Sequence, residues 1–105
     1  MASGVLGQVS IAATTNTTVY TVPASNLAYA NVTIANRNQT NVAVRVAITT
    51  GADPTTAQYI EYDVDVAPNG VLERTGLVME ATRRVVVYSD TANVSCAVYG
   101  VEQPV

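Results

Sequence analysis

The 105-residue sequence predicts one all-β domain, residues 1–105, folded as a small antiparallel β-sandwich of about eight strands with a jelly-roll or Ig-like arrangement. Three observations favour this fold class. Valine and threonine, whose branched side chains suit pleated strands, occur from end to end. Apolar and polar residues alternate with a period of two, and turn residues separate the alternating stretches. No segment has a 3.6-residue period long enough for a helix.

Four strands are predicted in the N-terminal half, and the first, which alternates weakly, is expected at a sheet edge. A proline follows the second predicted strand and ends it, because proline has no backbone N–H to donate to a neighbouring strand. The fourth strand alternates most regularly, and a shift of one residue would bury Arg45, so its inward face is strongly specified. The predicted strands are Gly7–Ala13, Val19–Val22, Ala28–Ala35 and Val42–Ile48, and the residues expected to face the core are Ala30, Val32, Ile34, Val42, Val44, Val46 and Ile48.

A β-hairpin is predicted between Gln58 and Leu77. Pro68-Asn69-Gly70 favours a tight reversal, because proline presets φ while Asn and Gly tolerate positive φ, so 71–74 is expected to return beside the preceding strand. Gly76 is expected to bend or bulge the second strand. Alternation predicts one face with Ile60, Tyr62, Val64 and Val66 and an opposite, solvated face with Tyr59, Glu61, Asp63 and Asp65.

Two further strands, Arg84–Ser89 and Val94–Val101, complete the predicted sandwich. Arg84–Ser89 is apolar on both faces at its centre, which is typical of a strand covered on both sides or lying at a subunit contact. Cys96 is in phase with two valines, which favours a small buried side chain over a catalytic thiol. Residues 1–6 are expected to form a flexible arm and residues 102–105 a short tail.

Composition argues against several function classes. The sequence has no histidine, the usual general base, and its single cysteine excludes an intrachain disulfide and a cysteine-rich metal site. A net charge of −3 without lysine argues against binding nucleic acid or an anionic membrane. Carboxylates that alternate along one strand diverge, so Glu61, Asp63 and Asp65 favour a solvated face over a calcium site. A glycosidase pair is not favoured either, because the sequence offers no aromatic sugar platform and no means of raising the pKa of one carboxyl group. We therefore expect no enzyme, no cofactor and no catalytic or metal-binding residue.

Six sequence segments, taken in order, resemble a known class of proteins. They are TTVYTVP (17–23), VTIANRN (32–38), VAVRVAI (42–48), YIEYD (59–63), NGVLERTGL (69–77) and VVVYSDTANVSCAVYG (85–100). The series resembles small virion structural proteins of tailed phages, particularly phages of cyanobacteria and other aquatic bacteria, over nearly the whole chain after about Gly7. The resemblance implies a non-enzymatic protein present in many copies, either a decoration or cement protein on the outer capsid or a tail-associated protein.

The resemblance also implies partners and a location. The expected partners are the major capsid protein, or tail proteins, and copies of the chain itself in a homotrimer; the expected location is the virion, assembled in the host cytoplasm. A valine- and alanine-rich core without Phe or Trp fits a domain that neighbours help to stabilise. The third possibility, a carbohydrate-binding surface module, would share the sandwich, but no exposed aromatic platform or export signal is evident from the sequence.

Overall fold

The computed structural model describes residues 3–105. Its strands form two antiparallel four-stranded sheets around one apolar core, so the predicted β-sandwich is confirmed. A short 3-10 helix, Thr56–Gln58, precedes the fifth strand. The strands are β1 (Ser3–Ile11), β2 (Thr17–Thr21), β3 (Asn26–Asn36), β4 (Val42–Thr49), β5 (Tyr59–Val66), β6 (Val71–Met79), β7 (Arg84–Ser89) and β8 (Val94–Pro104).

The strand order identifies the sandwich as a jelly roll. Sheet I has the order β1-β8-β3-β6 and sheet II the order β2-β7-β4-β5. β1 pairs with β8, β2 with β7, β3 with β6 and β4 with β5, as if one long hairpin had been rolled up. An Ig-like sandwich distributes its strands differently, with the first and second strands side by side in one sheet. β1 lies at the edge of sheet I, as its weak alternation predicted.

Valine dominates the core between the two sheets. The positions predicted to face inward on β3 and β4 are buried, except that Ile48 is only partly buried against the core. Cys96 is buried between Val94 and Val98 on β8, which confirms the packing predicted from their common phase. A buried valine contributes only about 1.5–3 kcal/mol, so the stability of the sandwich rests on many small contributions.

The prediction that β5 and β6 form a hairpin is wrong. The turn chemistry is as expected: Asn69 has a φ of 57° and the N–H of Gly70 donates to the carbonyl of Ala67 at 2.8 Å. However, β5 pairs with β4 in sheet II, whereas β6 pairs with β3 in sheet I. The reversal therefore carries the chain from one sheet to the other, because turn residues set a local change of direction and not the strand that pairs afterwards.

Buried Asn36 holds this connection in place. Its side-chain Nδ2 donates to the carbonyl oxygens of Thr40, Val66 and Ala67 at 2.9–3.1 Å. Its backbone N–H donates to the carbonyl of Gly70, and its Oδ1 accepts from the backbone N–H of Asn38. One buried amide side chain thus ties the carbonyl groups of two separate loops together at this end of the sandwich.

The first and last strands of the described residues belong to sheet I. Ser3 to Leu6, expected in a flexible arm, lie in β1, where Ser3 and Val5 pair with Val101 and Tyr99. Residues 102–104, expected in a tail, extend β8 and pair with β3. The expected arm and tail are therefore strand ends, the first paired with β8 and the second with β3, which neither segment reveals alone. Residues 1 and 2 lie outside the described residues.

Irregular pairing shapes the edge strands. Gly76 has a φ of 72°, and the β3–β6 register shifts beside it, which confirms the predicted bulge.

Gly7 lies where the two sheets come close together. A Cβ at this position would collide with the carbonyl oxygen of Val19. The missing side chain therefore lets β1 of sheet I approach β2 of sheet II closely.

Candidate functional site

The residues singled out for chemistry do not come together in the fold. Among residues 3–105, no three His, Cys, Asp or Glu side chains form a group that could hold a metal ion. Burial raises the pKa of the Cys96 thiol to about 12, so this cysteine is almost entirely protonated at neutral pH.

Of the three carboxylates of β5, Glu61 leaves the predicted face and Asp63 and Asp65 keep it. Glu61 forms an ion pair with Arg74 of β6 at 3.2 Å, which links the edges of the two sheets. Asp63 pairs with Arg45 on β4 at 2.6 Å, while Asp65 lies opposite Ala43. The predicted common acidic face is therefore wrong for Glu61, because the register shift between Val44 and Val46 interrupts the alternation between Glu61 and Asp63.

A β-bulge on β5 also moves Tyr62 out of its predicted place on the core-facing side. Val44 pairs with Val64 and Val46 pairs with Glu61, so the single residue between the valines, Arg45, faces two residues of β5. These two residues are Tyr62 and Asp63, and Asp63 adopts the left-handed φ of 52°. Tyr62 is consequently 57% exposed on the outer face of sheet II, whereas Ile60, Val64 and Val66 pack on the core as predicted.

The bulge creates a tyrosine–arginine cluster, formed by Arg45, Tyr59, Tyr62, Asp63 and Tyr88. The guanidinium carbon of Arg45 lies 4.3 Å from the ring centre of Tyr62 and 4.5 Å from that of Tyr88. Nε of Arg45 donates to Oδ1 of Asp63, and this hydrogen bond raises the pKa of Arg45 further above its usual range. The rings of Tyr59 and Tyr62 meet nearly perpendicularly, at 83°, with their centres 4.9 Å apart. The cluster is thus fixed by aromatic, cation–π and ionic contacts.

Sheet II buries two small side chains next to this cluster. Ala47 and Val86 lie opposite each other on β4 and β7, and both are buried although neither belongs to the central core. Ala47 pairs on its other side with Tyr59. The apolar second face predicted for Arg84–Ser89 is therefore covered within the chain, and it gives no indication of a subunit contact.

A cleft of about 360 Å³ opens beside the tyrosine–arginine cluster. Thr56, Tyr59 and Tyr62 line it. Thr56 begins the 3-10 helix, which Thr55 and Gln58 fix with a capping box; the backbone N–H of Thr55 donates to Oε1 of Gln58 at 2.9 Å. The cleft is therefore bounded by a braced turn on one side and by two aromatic rings on the other.

The outer face of sheet I carries an apolar patch, formed by Val5, Tyr29, Val78 and Val101. These side chains come from four different strands and are between 38% and 61% exposed. Tyr29 lies opposite Val78 on one side and opposite Val101 on the other. Val5 lies in the next row, opposite Tyr99. The patch thus crosses the full width of the sheet.

The rest of this outer face carries two charged side chains, Glu73 on β6 and Arg37, which follows β3 and donates from Nη2 to Oγ of Ser10 at 3.1 Å. Along the paired strands between Ser3 and Pro104, the outward positions of sheet I carry only Glu73 as a charged side chain. Tyr99 donates its phenolic hydrogen to Oε2 of Glu73 at 3.2 Å. Next to the patch, a shallow groove of about 380 Å³ is lined mainly by small side chains, among them Ser10, Ala35, Ser95 and Ala97. This face can therefore be covered without burying several unpaired charges.

Comparisons with models of protein families, with curated proteins and with solved structures found no match. Within residues 3–105, no helix is long and apolar enough to cross a membrane.

Neither surface is predicted by the sequence. Alternation predicts Tyr62 on the core-facing side, and no pattern gives a role to the valines that form the patch. The apolar patch had a weak signal, since Tyr29 and Val78 are apolar residues out of phase with their buried neighbours. The tyrosine–arginine cluster had none, because it depends on a register shift that only the paired strands define.

Proposed function

We propose that this chain is a non-enzymatic structural protein of a phage virion, a decoration or cement protein that binds the major capsid protein through the outer face of sheet I. The observation that carries the proposal is the apolar patch of Val5, Tyr29, Val78 and Val101 on an almost uncharged sheet face. Contiguous apolar surface mainly marks interaction sites, and the centres of protein interfaces are depleted of charge and enriched in tyrosine.

The resemblance to virion proteins supports the choice of partner, since a jelly roll by itself is compatible with many functions. A protein that binds the assembled shell and not its free subunits stabilises the shell by mass action. Homotrimers at the threefold positions of the shell would present three copies of the patch, so that weak individual contacts add up. A tail-associated structural protein is the alternative, and it would use the same surface on a different partner.

Co-sedimentation of the purified protein with isolated shells and isolated tails tests this function. Shells and tails come from the encoding phage with the gene for this chain deleted. We expect saturable binding to mature shells and a higher temperature of shell disruption once the protein is bound. Light scattering of the free protein is expected to give the mass of a trimer.

Charge placed in the patch tests the proposed face. Val78→Asp brings an unpaired carboxylate into the contact and is expected to weaken shell binding by about tenfold or more. Thr18→Asp, an exposed strand position of sheet II, is the matched control and leaves binding unchanged. Binding to tails alone supports the tail alternative, whereas equal binding by Val78→Asp and the wild type rejects sheet I as the contact.

A further inference from the structure

We propose that the cleft between Thr56, Tyr59 and Tyr62 binds a neutral saccharide, with the exposed ring of Tyr62 as its stacking platform. This site lies on sheet II and is independent of the proposed contact through sheet I. The cleft volume of about 360 Å³ falls within the range of small-molecule sites, roughly 300–1,000 Å³.

The shape and chemistry of the cleft suit a sugar ring. A pyranose presents a flat patch of C–H groups surrounded by hydroxyl groups, so it needs an apolar surface with hydrogen-bonding groups beside it. The two tyrosine rings stand at 83° to each other and form a corner, in which one ring can stack while the other forms a wall. The hydroxyl groups of Thr56, Tyr59 and Tyr62 can both donate and accept hydrogen bonds.

The platform is already rigid in the free chain. Arg45 lies against Tyr62, and Arg45 is itself held by Tyr88 and by its ion pair with Asp63. The turn that carries Thr56 is fixed by the Thr55–Gln58 capping box. A rigid site does not have to lose side-chain entropy when it binds a ligand, which favours even a weak ligand such as a single sugar unit.

Charge and strand geometry favour a neutral saccharide over an anion or an extended peptide. The nearest cation, Arg45, is paired with Asp63 at 2.6 Å, so the cluster offers little net charge to an ionic ligand. β5 is an edge strand, but its two register irregularities disrupt the row of backbone groups that an added peptide strand would need. A sugar bound by stacking and hydroxyl contacts requires neither a net charge in the site nor an uninterrupted strand edge.

Titration with neutral hexasaccharides tests the site. The probes are maltohexaose, cellohexaose, laminarihexaose and chitin hexasaccharide, each added up to about 10 mM, and tyrosine fluorescence is the readout because the chain has no tryptophan. We expect saturable binding of at least one probe. Tyr62→Ala weakens it by about tenfold or more, whereas Tyr62→Phe, which keeps the ring, largely retains it.

Tyr29→Ala on sheet I is the matched control, since Tyr29 is also an exposed strand tyrosine, and it leaves sugar affinity unchanged. If Tyr62→Ala fails to fold, Thr56→Val decides the question, because it removes a hydroxyl from the cleft at nearly constant volume and is expected to weaken binding several-fold. The proposal is overturned if no probe binds, or if the folded cleft variant binds as well as the wild type. Loss of shell binding in Tyr62→Ala without any sugar binding would instead identify the cluster as a protein contact.

Discussion

At the residue scale, Asn36 supplies most of the polar contacts that hold the β5–β6 connection. Replacing it with alanine leaves the carbonyl groups of Val66 and Ala67 without their side-chain donor. We expect Asn36→Ala to lower the free energy of unfolding by about 2–4 kcal/mol, measured by urea denaturation. Asn41→Ala, an exposed asparagine five residues later, is the control and should stay within about 0.5 kcal/mol of the wild type. Equal stability of the two variants would contradict the role given to Asn36.

Tyr20 connects the two sheets at the residue scale. It is buried on β2, and its hydroxyl donates to Oε2 of Glu102 on β8 at 2.5 Å. Burial, followed by the hydrogen bond and the negative charge of Glu102, raises the pKa of Tyr20 well above its usual value. The folded state therefore favours the protonated phenol, so its stabilising contribution is complete below the unfolded pKa of about 10 and is lost as the pH rises further.

We expect the wild type to lose more stability between pH 7 and about pH 11 than Tyr20→Phe does, because the variant has no phenol to ionise. Tyr20→Phe should also be the less stable protein at pH 7, since it lacks the hydrogen bond to Glu102. Urea denaturation at both pH values measures the difference, and Tyr29→Phe, a change at an exposed position, should follow the wild type. An identical loss of stability in the wild type and Tyr20→Phe would reject this linkage.

At the element scale, β4 illustrates which features the sequence can predict. Its inward face was predictable, because Val42, Val44 and Val46 alternate with Ala43 and Arg45. A register shifted by one residue would bury the charged side chain of Arg45. The bulge opposite Arg45 was not predictable. Aspartate tolerates positive φ, but this permits a bulge at Asp63 without requiring one. The position of Tyr62, and with it the candidate cleft, is fixed by how β5 pairs with β4.

The faces of β4 can be tested directly. Val44→Asp buries a carboxylate in the core and is expected to abolish folding, at a cost of several kcal/mol or roughly the whole stability of a small domain. Arg45→Ala removes a partly exposed side chain and its contacts with Asp63 and Tyr62, so a loss of only about 1 kcal/mol is expected. Circular dichroism during thermal unfolding compares the two variants. Similar melting temperatures would show that the faces are assigned wrongly.

At the scale of the whole molecule, the fold class was predictable and the topology was not. Period-two alternation and turn residues define the strands one at a time, whereas the nested pairing of β1 with β8 and β2 with β7 depends on contacts between distant parts of the chain. The same pairing turned the expected arm and tail into strand ends. It also carried β5 and β6 into different sheets, although their connecting turn was recognised correctly.

The two proposed roles, capsid binding and saccharide binding, belong to the outer faces of different sheets. Sheet I offers a surface with few charged side chains and an apolar patch, which suits a broad contact with the capsid protein. Sheet II offers a small aromatic cleft with a paired arginine, which suits a small neutral ligand. A particle that carries the chain in this orientation would cover the patch and leave the cleft exposed.

An electron cryomicroscopy reconstruction of the encoding phage tests the central proposal most directly. We predict density for this jelly roll on the outer surface of the mature capsid, in threefold clusters, with Tyr29 and Val78 of sheet I against the capsid protein and Tyr62 of sheet II facing solvent. Particles from a phage lacking the gene should show the same shell without this density. Density found only in the tail, or a capsid-bound jelly roll that contacts the shell through sheet II, would contradict the proposal.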